Sequence, residues 1–138
     1  PFANHYEVAS VMSQVDCGIF PSRAEGWNLE ALELMSMGKH VIVTNYSGHT
    51  EFCRPDNSLL VQIYNLELAF DGKWFFEQGQ WAELGEQQID QFIEHSRKIH
   101  ELKNRTGSLV NDAGLETAEN FTWTNSCKSL VRLIFEET

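Results

Sequence analysis

Two glutamates lie on either side of one predicted helix start, and their spacing is the first indication of chemistry in this sequence. Glu25 precedes the turn that begins at Gly26, and Glu33 lies about one turn inside the helix predicted to start at Asn28. Helical side chains point back toward the N-terminus, so both carboxylates are expected to reach a ligand bound above that end. Ionised carboxylates accept hydrogen bonds well from hydroxyl groups.

The backbone at the same helix start is suited to an anion. Gly26 lets the chain approach a ligand closely, and the first amides of a helix have no acceptor within it. We expect the amides of Trp27, Asn28 and Leu29 to face a phosphate, because the positive end of a helix attracts negative charge. Hydroxyl-binding carboxylates beside an anion site fit a nucleotide sugar. The helix dipole alone is sufficient to explain Glu30, since an acidic first turn contributes about 0.3–1 kcal/mol.

The composition restricts the possible partners. Ten basic and twenty acidic residues give the 138-residue chain a formal charge of −10. This charge repels phosphate polymers, so nucleic acid and anionic membranes are not expected as partners. No apolar run approaches the roughly 20 residues of a membrane-spanning helix, which predicts a cytoplasmic protein. The three cysteines form no CxxC motif and are expected to be reduced.

The elements that must position these groups follow a strand–helix–strand order. The apolar run CGIFPS predicts a buried strand, NLEALELMSM predicts a helix capped by Asn28 and ended by Gly38, and HVIVTN predicts a second buried strand. Such a βαβ unit indicates an α/β fold with parallel strands. Ligands of open parallel sheets bind beyond the carboxyl ends of the strands, which is where Glu25 falls.

The rest of the chain predicts one more strand and several helices. A third strand is predicted at 58–63, and the aromatic-rich segment LAFDGKWFFEQGQW is expected to be irregular. Helices are predicted before Asp16, from Trp81 to about Lys103, from about Asp112 to Glu119, and at 126–137. We expect a single domain over 1–138, a partial Rossmann-like fold with about three parallel strands flanked by helices and a helical C-terminal tail. Because doubly wound sheets usually have five or six strands, we interpret the chain as a fragment.

The stretch DCGIFPSRAEGWNLEALELMSMGKHVIVTNYSGHTEF resembles the C-terminal, donor-binding domain of the retaining glycosyltransferases of family 4, which have the GT-B fold. The pattern in that family is PS, a short gap, EGxxLxxLE, a helix of small residues, GxxVxxT, and a glycine-containing turn followed by a glutamate. It falls here on Pro21, Ser22, Glu25, Gly26, Leu29, Leu32, Glu33, Gly38, Val41, Thr44, Gly48 and Glu51. Ser47 stands where the family usually has a second glycine, and the segment 66–80 is least like the usual pattern.

The resemblance implies a parent enzyme that transfers a sugar from a nucleotide-diphosphate sugar to an acceptor, with retention at the anomeric carbon. It implies that Glu25 is catalytic and contacts the transferred sugar, and that Glu33 binds the ribose. The donor-binding residues it implies are Ser22, Glu25, Gly26, Trp27, Asn28, Leu29, Glu33 and Gly48. It implies no cofactor and no metal, in keeping with the absence of HxxxH, HExxH and DxD spacings.

The resemblance also implies that the chain is the later part of the donor-binding domain. The acceptor domain and the first half of the donor domain, which supplies an Arg/Lys pair for the diphosphate, are not among these residues. We therefore expect the isolated chain to be inactive, and a full-length parent to be cytoplasmic or peripheral to a membrane.

Other functions stay open at this point. One is a non-catalytic nucleotide-sugar-binding or self-associating module, in which the apolar face around Leu130, Leu133 and Ile134 forms a homodimer. Another is a GT-B phosphorylase or epimerase. The aromatic residues Trp74, Phe75, Phe76 and Trp81 either stack on sugar rings or pack as core or lid.

Overall fold

A computed structural model describes residues 4–135, and it confirms the predicted α/β fold. The element order begins with the predicted helix, strand, helix and strand, and ends with three helices. The elements are α1 (His5–Gln14), β1 (Cys17–Phe20), α2 (Leu29–Ser36), β2 (His40–Thr44), a 3₁₀ turn (Gly48–Glu51), β3 (Leu59–Val61), β4 (Leu66–Phe70), β5 (Phe76–Ala82), α3 (Glu86–Thr106), α4 (Asp112–Asn120) and α5 (Trp123–Phe135).

The central sheet has three parallel strands in the order β1-β2-β3. Gly18 of β1 lies opposite Val41 of β2, and Ile42 lies opposite Leu59 of β3. The middle strand is buried on both faces, as its unbroken apolar sequence predicts for a parallel strand. Because all three strands run the same way, their carboxyl ends lie at one edge of the sheet, where the loops that follow β1 and β2 meet.

The core is formed where α2 packs on one face of this sheet. Ala31, Leu34 and Met35 of α2 are buried with Val41 and Val43 of β2. Each fully buried large apolar side chain contributes about 1.5–3 kcal/mol relative to an exposed one. This packing holds the start of α2 close to the carboxyl end of β1.

The helices around the sheet agree with prediction in most of their bounds. Helix α1 ends before Asp16 as predicted, although residues 1–3 of that prediction lie outside the described part of the chain. Helix α4 begins at the predicted Asp112, and the side chain of Asn111 accepts a hydrogen bond from the amide of Gly114. None of the helices within residues 4–135 is both long and apolar enough to cross a membrane.

The aromatic-rich segment is not irregular, so that prediction was wrong. Strands β4 and β5 form an antiparallel hairpin, a second sheet of two strands. The rings of Phe70 and Phe76 pair across it with centroids 6.1 Å apart. Its charged and glycine residues hide the alternation from a search for local periodicity.

Because of the hairpin, the long helix starts later in the chain than predicted. The prediction from Trp81 was wrong because β5 continues to Ala82. Helix α3 begins at Glu86, where the amide of the N-cap residue Gly85 donates to the side chain of Gln88. The C-terminal helix is confirmed as amphipathic, although α5 begins at Trp123, three residues before its predicted start, and it contains no buried residue. Residues 136 and 137 of its predicted range lie outside the described residues.

Candidate functional site

The two loops at the carboxyl edge of the sheet are joined through the backbone of Glu25. The amide of Gly48 donates to the Glu25 carbonyl at 3.0 Å, and the amide of Glu25 donates to the hydroxyl of Ser47 at 2.8 Å. A Cβ at Gly48 would overlap the carbonyl of Gly26 and lie 2.9 Å from the Glu25 oxygen. Glycine at 48 is therefore required for the two loops to approach this closely.

The carboxylate of Glu25 is held by a series of hydrogen bonds that starts in the core. The hydroxyl of Ser22 donates to the Glu25 carboxylate at 2.6 Å, and the hydroxyl of the fully buried Thr44 donates to the Ser22 carbonyl at 2.7 Å. The buried ring of His49 donates in turn to the Thr44 carbonyl. The end of β2 thus orients a half-buried carboxylate in the loop after β1.

The start of α2 has the cap that its sequence predicts. The side chain of Asn28 accepts a hydrogen bond from the amide of Ala31 at 3.2 Å, and Asn28 itself has a left-handed backbone with φ 66°. The side chain of Leu29 is exposed, and a Cβ at Gly26 would have nothing within 4 Å. The space directly beside the Cα of Gly26 is therefore open.

Trp27 contributes its ring to packing rather than to the open side of this turn. The ring lies 5.4 Å from that of Phe52 and 5.6 Å from that of Phe121, and the two phenylalanine rings are 5.9 Å apart. The predicted role of Trp27 concerned only its backbone amide. Because the ring packs in this cluster, a large aromatic residue at this position is compatible with that role.

Glu33 makes no hydrogen bond with the residues around Glu25 that the structure records. Its side chain is exposed on α2 and is not among the residues that line the cleft beside Glu25. The structure therefore brings Ser22, Glu25, Gly26 and Gly48 together, while the contact of Glu33 with a bound ribose stays a prediction.

A cleft of about 550 Å³ opens beside the Glu25 carboxylate. It is lined by the loop after β1 and by two rings of the hairpin, in full Pro21, Arg23, Ala24, Glu25, Gly26, Phe75 and Trp81. Sequence reasoning counted Phe75 and Trp81 among four aromatic residues that either stack on sugar rings or pack as core or lid, but it gave no position for them relative to Glu25. A larger groove of about 730 Å³ is lined by α5 alone and lies on an exposed helix face.

Arg23 is held by the hairpin and does not act as a free cation. Its guanidinium pairs with the carboxylate of Glu67 and stacks over the ring of Trp81, 4.5 Å from the ring centroid. Lys39, the other single charge near the site in sequence, donates to the carbonyl of Ser13 at 2.8 Å. The two residues do not form a basic pair for a diphosphate.

Two of the three thiols, those of Cys17 and Cys53, are not candidates for nucleophilic chemistry. Burial, together with the charge of Asp16, raises the pKa of Cys17 to about 12, and burial raises the pKa of Cys53 to about 12. Both thiols therefore stay protonated at neutral pH. Within residues 4–135, no group of three or more His, Cys, Asp or Glu side chains is arranged to hold a metal ion.

Comparison with known families decides the identity. A family model described as "Glycosyl transferases group 1" matches residues 2–71, just over half of the chain. The chain belongs to the group 1 glycosyltransferases. In this glycosyltransferase the matched segment includes the residues clustered around Glu25, namely Ser22, Gly26 and Gly48. The two rings Phe75 and Trp81 lie beyond it. A search of curated proteins found no match.

Proposed function

We propose that this glycosyltransferase chain binds the donor of a retaining family 4 enzyme with the GT-B fold. In the parent enzyme, a sugar passes from a nucleotide-diphosphate sugar to an acceptor. The observation that carries the proposal is the carboxylate of Glu25, fixed by Ser22 at the carboxyl edge of a parallel sheet and open to a cleft. Ligands of open α/β sheets bind at this edge.

Each part of the donor has a partner in this proposal. Glu25 accepts hydrogen bonds from hydroxyls of the transferred sugar, and the start of α2 receives the diphosphate through backbone amides and the helix dipole. Glu33 binds the ribose hydroxyls. Charge gathers on the departing phosphate as the glycosidic bond breaks, and a preorganised helix end stabilises that charge without reorganising.

The proposal includes a parent protein with further parts. The outer edge of β1 has no strand paired with it in the described residues, and Ile19 on this strand is 52% exposed. An edge strand presents unpaired N–H and C=O groups that can pair with another strand, so a neighbouring strand is part of the proposal. An acceptor domain and an Arg/Lys pair belong to the same parent, in the cytoplasm. The isolated chain is therefore inactive in transfer and in donor hydrolysis.

Donor binding by the isolated chain tests the assignment of Glu25. We expect the variant Glu25→Gln to bind UDP-glucose or GDP-mannose about tenfold more weakly than the unmodified chain, since a hydrogen bond to a charged group contributes roughly 1.5–3 kcal/mol. Glu101→Gln is the matched control, because Glu101 is exposed on α3, outside the cleft and outside the start of α2. The measurement is a titration of the ligand monitored by ligand-observed NMR. Equal affinities for Glu25→Gln and the unmodified chain would remove Glu25 from the donor site.

A second candidate function is a self-associating module without catalysis. The observation that favours it is the apolar face of α5, on which Leu130, Leu133 and Ile134 are each more than half exposed. Contiguous exposed apolar surface of this kind marks interfaces between proteins.

A further inference from the structure

We propose that Phe75 and Trp81 form an aromatic wall that holds a hexopyranose ring against Glu25. The inference rests on the proposed function and deepens it, because it assigns the sugar-binding part of the site to the hairpin β4–β5. The loop after β1 supplies the carboxylate, and the hairpin supplies the surface opposite.

The hairpin is attached directly to the loop that carries Glu25. The amide of Ala82 donates to the carbonyl of Arg23 at 2.8 Å, and the hydroxyl of Tyr46 donates to the carbonyl of Gln80 at 3.0 Å. The ion pair of Arg23 with Glu67 adds a third connection. Backbone and side-chain contacts from both strands of the hairpin therefore fix the position of Trp81 relative to Glu25.

The position of Phe75 is set by the turn of the hairpin. The carboxylate of Asp71 accepts hydrogen bonds from the amides of Lys73, Trp74 and Phe75 at 2.8, 2.8 and 2.9 Å. The Phe75 ring then meets the Trp81 ring edge-on, with centroids 5.2 Å apart. The Phe75 side chain is 43% exposed, so one part of the ring packs and another part faces the cleft.

The chemistry of the cleft fits a neutral ring with one apolar face. Its lining is mostly apolar, and Glu25 is its one carboxylate. The one cation in the lining, Arg23, is already paired with Glu67, so the cleft offers no unpaired cation to a phosphate. A pyranose has a C–H face that stacks on aromatic rings and a hydroxyl edge that donates to a carboxylate. A volume of about 550 Å³ lies within the usual range for small-ligand sites, about 300–1,000 Å³.

Two substrates of a glycosyl transfer contain such a ring, the donor and the acceptor. The proposal concerns the pyranose that both share, and binding experiments separate the two sources. A donor ring is attached to a nucleotide, so it adds affinity to that of the free nucleotide. An acceptor ring binds while the nucleotide sugar is also bound.

The test is ligand-observed NMR on the full 138-residue chain. The probes are the methyl α-pyranosides of glucose, mannose and galactose, the nucleotides UDP and GDP, and UDP-glucose and GDP-mannose. We expect Phe75→Ala to weaken pyranose binding about threefold to tenfold, the size of an aromatic contact. Phe75→Tyr keeps the ring and is expected to retain the affinity. Trp74→Ala is the matched control, since Trp74 is the preceding residue, is 74% exposed and does not line the cleft.

The outcomes assign the ring or overturn the proposal. Loss of the affinity difference between UDP-glucose and UDP in Phe75→Ala assigns a donor ring, whereas loss of pyranoside binding alone, with unchanged UDP-glucose binding, assigns an acceptor ring. Equal pyranose affinities for Phe75→Ala and Trp74→Ala overturn the aromatic wall, as does the absence of pyranose binding by the unmodified chain. If pyranosides bind and depend on Phe75 while neither nucleotides nor nucleotide sugars bind, the wall stands and the proposed donor function fails.

Discussion

At the scale of single residues, the candidate site depends on how the loop after β1 is held by the turn after β2. Ser47 occupies the position where the family usually has glycine, and its φ of 69° and ψ of −158° lie in a region that only glycine adopts without strain. The serine hydroxyl offsets this strain because it accepts the amide hydrogen bond of Glu25. The departure from the family pattern therefore adds a contact to the backbone that carries the carboxylate.

The two contributions of Ser47 can be separated by substitution. Ser47→Ala removes the hydroxyl and keeps the strain, so we expect it to lower the free energy of unfolding by about 1–3 kcal/mol, the cost of leaving a part-buried amide without an acceptor. Ser47→Gly removes both contributions, so it is expected to be less destabilising than Ser47→Ala. Urea denaturation of the two variants measures the difference. A Ser47→Gly variant less stable than Ser47→Ala would show that the backbone at position 47 is not strained.

At the scale of elements, the hairpin β4–β5 is the feature that shapes the cleft, and the charge of Asp71 holds its turn. Hydrogen bonds from the amides of Phe75, Trp74 and Lys73 lower the pKa of Asp71 below its usual value of 3.8. Because the folded pKa is lower than the unfolded one, the contribution of the carboxylate to stability is present above pH 3.8 and is lost as the pH falls through the lowered pKa. The turn should therefore loosen in acid.

Acid titration of the turn tests this charge. We expect protection of the amides of residues 73–75 from hydrogen exchange to fall as the pH drops below about 4, and this change to be absent in Asp71→Asn. Asp90→Asn is the control, since Asp90 is exposed on α3, away from the hairpin turn. The measurement is hydrogen exchange followed by NMR. Unchanged protection across that range in the unmodified chain would show that the carboxylate does not hold the turn.

At the scale of the whole molecule, one helix contributes surface instead of core. Helix α5 follows α4 directly, yet its apolar side chains are exposed along its length, with Trp123 at 89% and Phe135 at 71%. Phe121, which packs against Trp27 and Phe52, is the last residue of the aromatic cluster and lies two positions before this helix begins. Among the described residues, the packed part of the chain therefore ends at Phe121, and the apolar face of α5 is left exposed.

Self-association through α5 is expected in the isolated chain. A dimer that buries this face should dissociate when Leu133→Gln replaces an apolar side chain by a polar one, because the interface loses buried apolar area. Lys128→Gln introduces the same residue at a position of α5 outside the Leu130, Leu133 and Ile134 face. Sedimentation equilibrium at several concentrations measures the dissociation constant. A monomeric unmodified chain would contradict the homodimer and leave this face to a different partner.

Much of the fold follows from short-range patterns. Strand β1, helix α2 and strand β2 were predicted correctly because an apolar run, a cap at Asn28 and a stop at Gly38 are contained within the elements themselves. The hairpin was missed because the pairing of Phe70 with Phe76 is a contact between strands, and irregular backbone at Glu77 and Gly79 interrupts the alternation.

The sequence by itself determined the βαβ unit, the family and the residues around Glu25, because each depends on neighbouring residues whose spacing is visible along the chain. Only the tertiary structure decided that the Trp27 ring packs against Phe52 and that Trp81 closes the cleft beside Glu25. These contacts join segments that are far apart in the chain, such as Arg23 and Ala82, and their geometry is set by the packing of the hairpin on the loop. Local periodicity contains no information about such a contact. The position of Phe75 and Trp81 beside Glu25 could therefore be determined only from the folded chain.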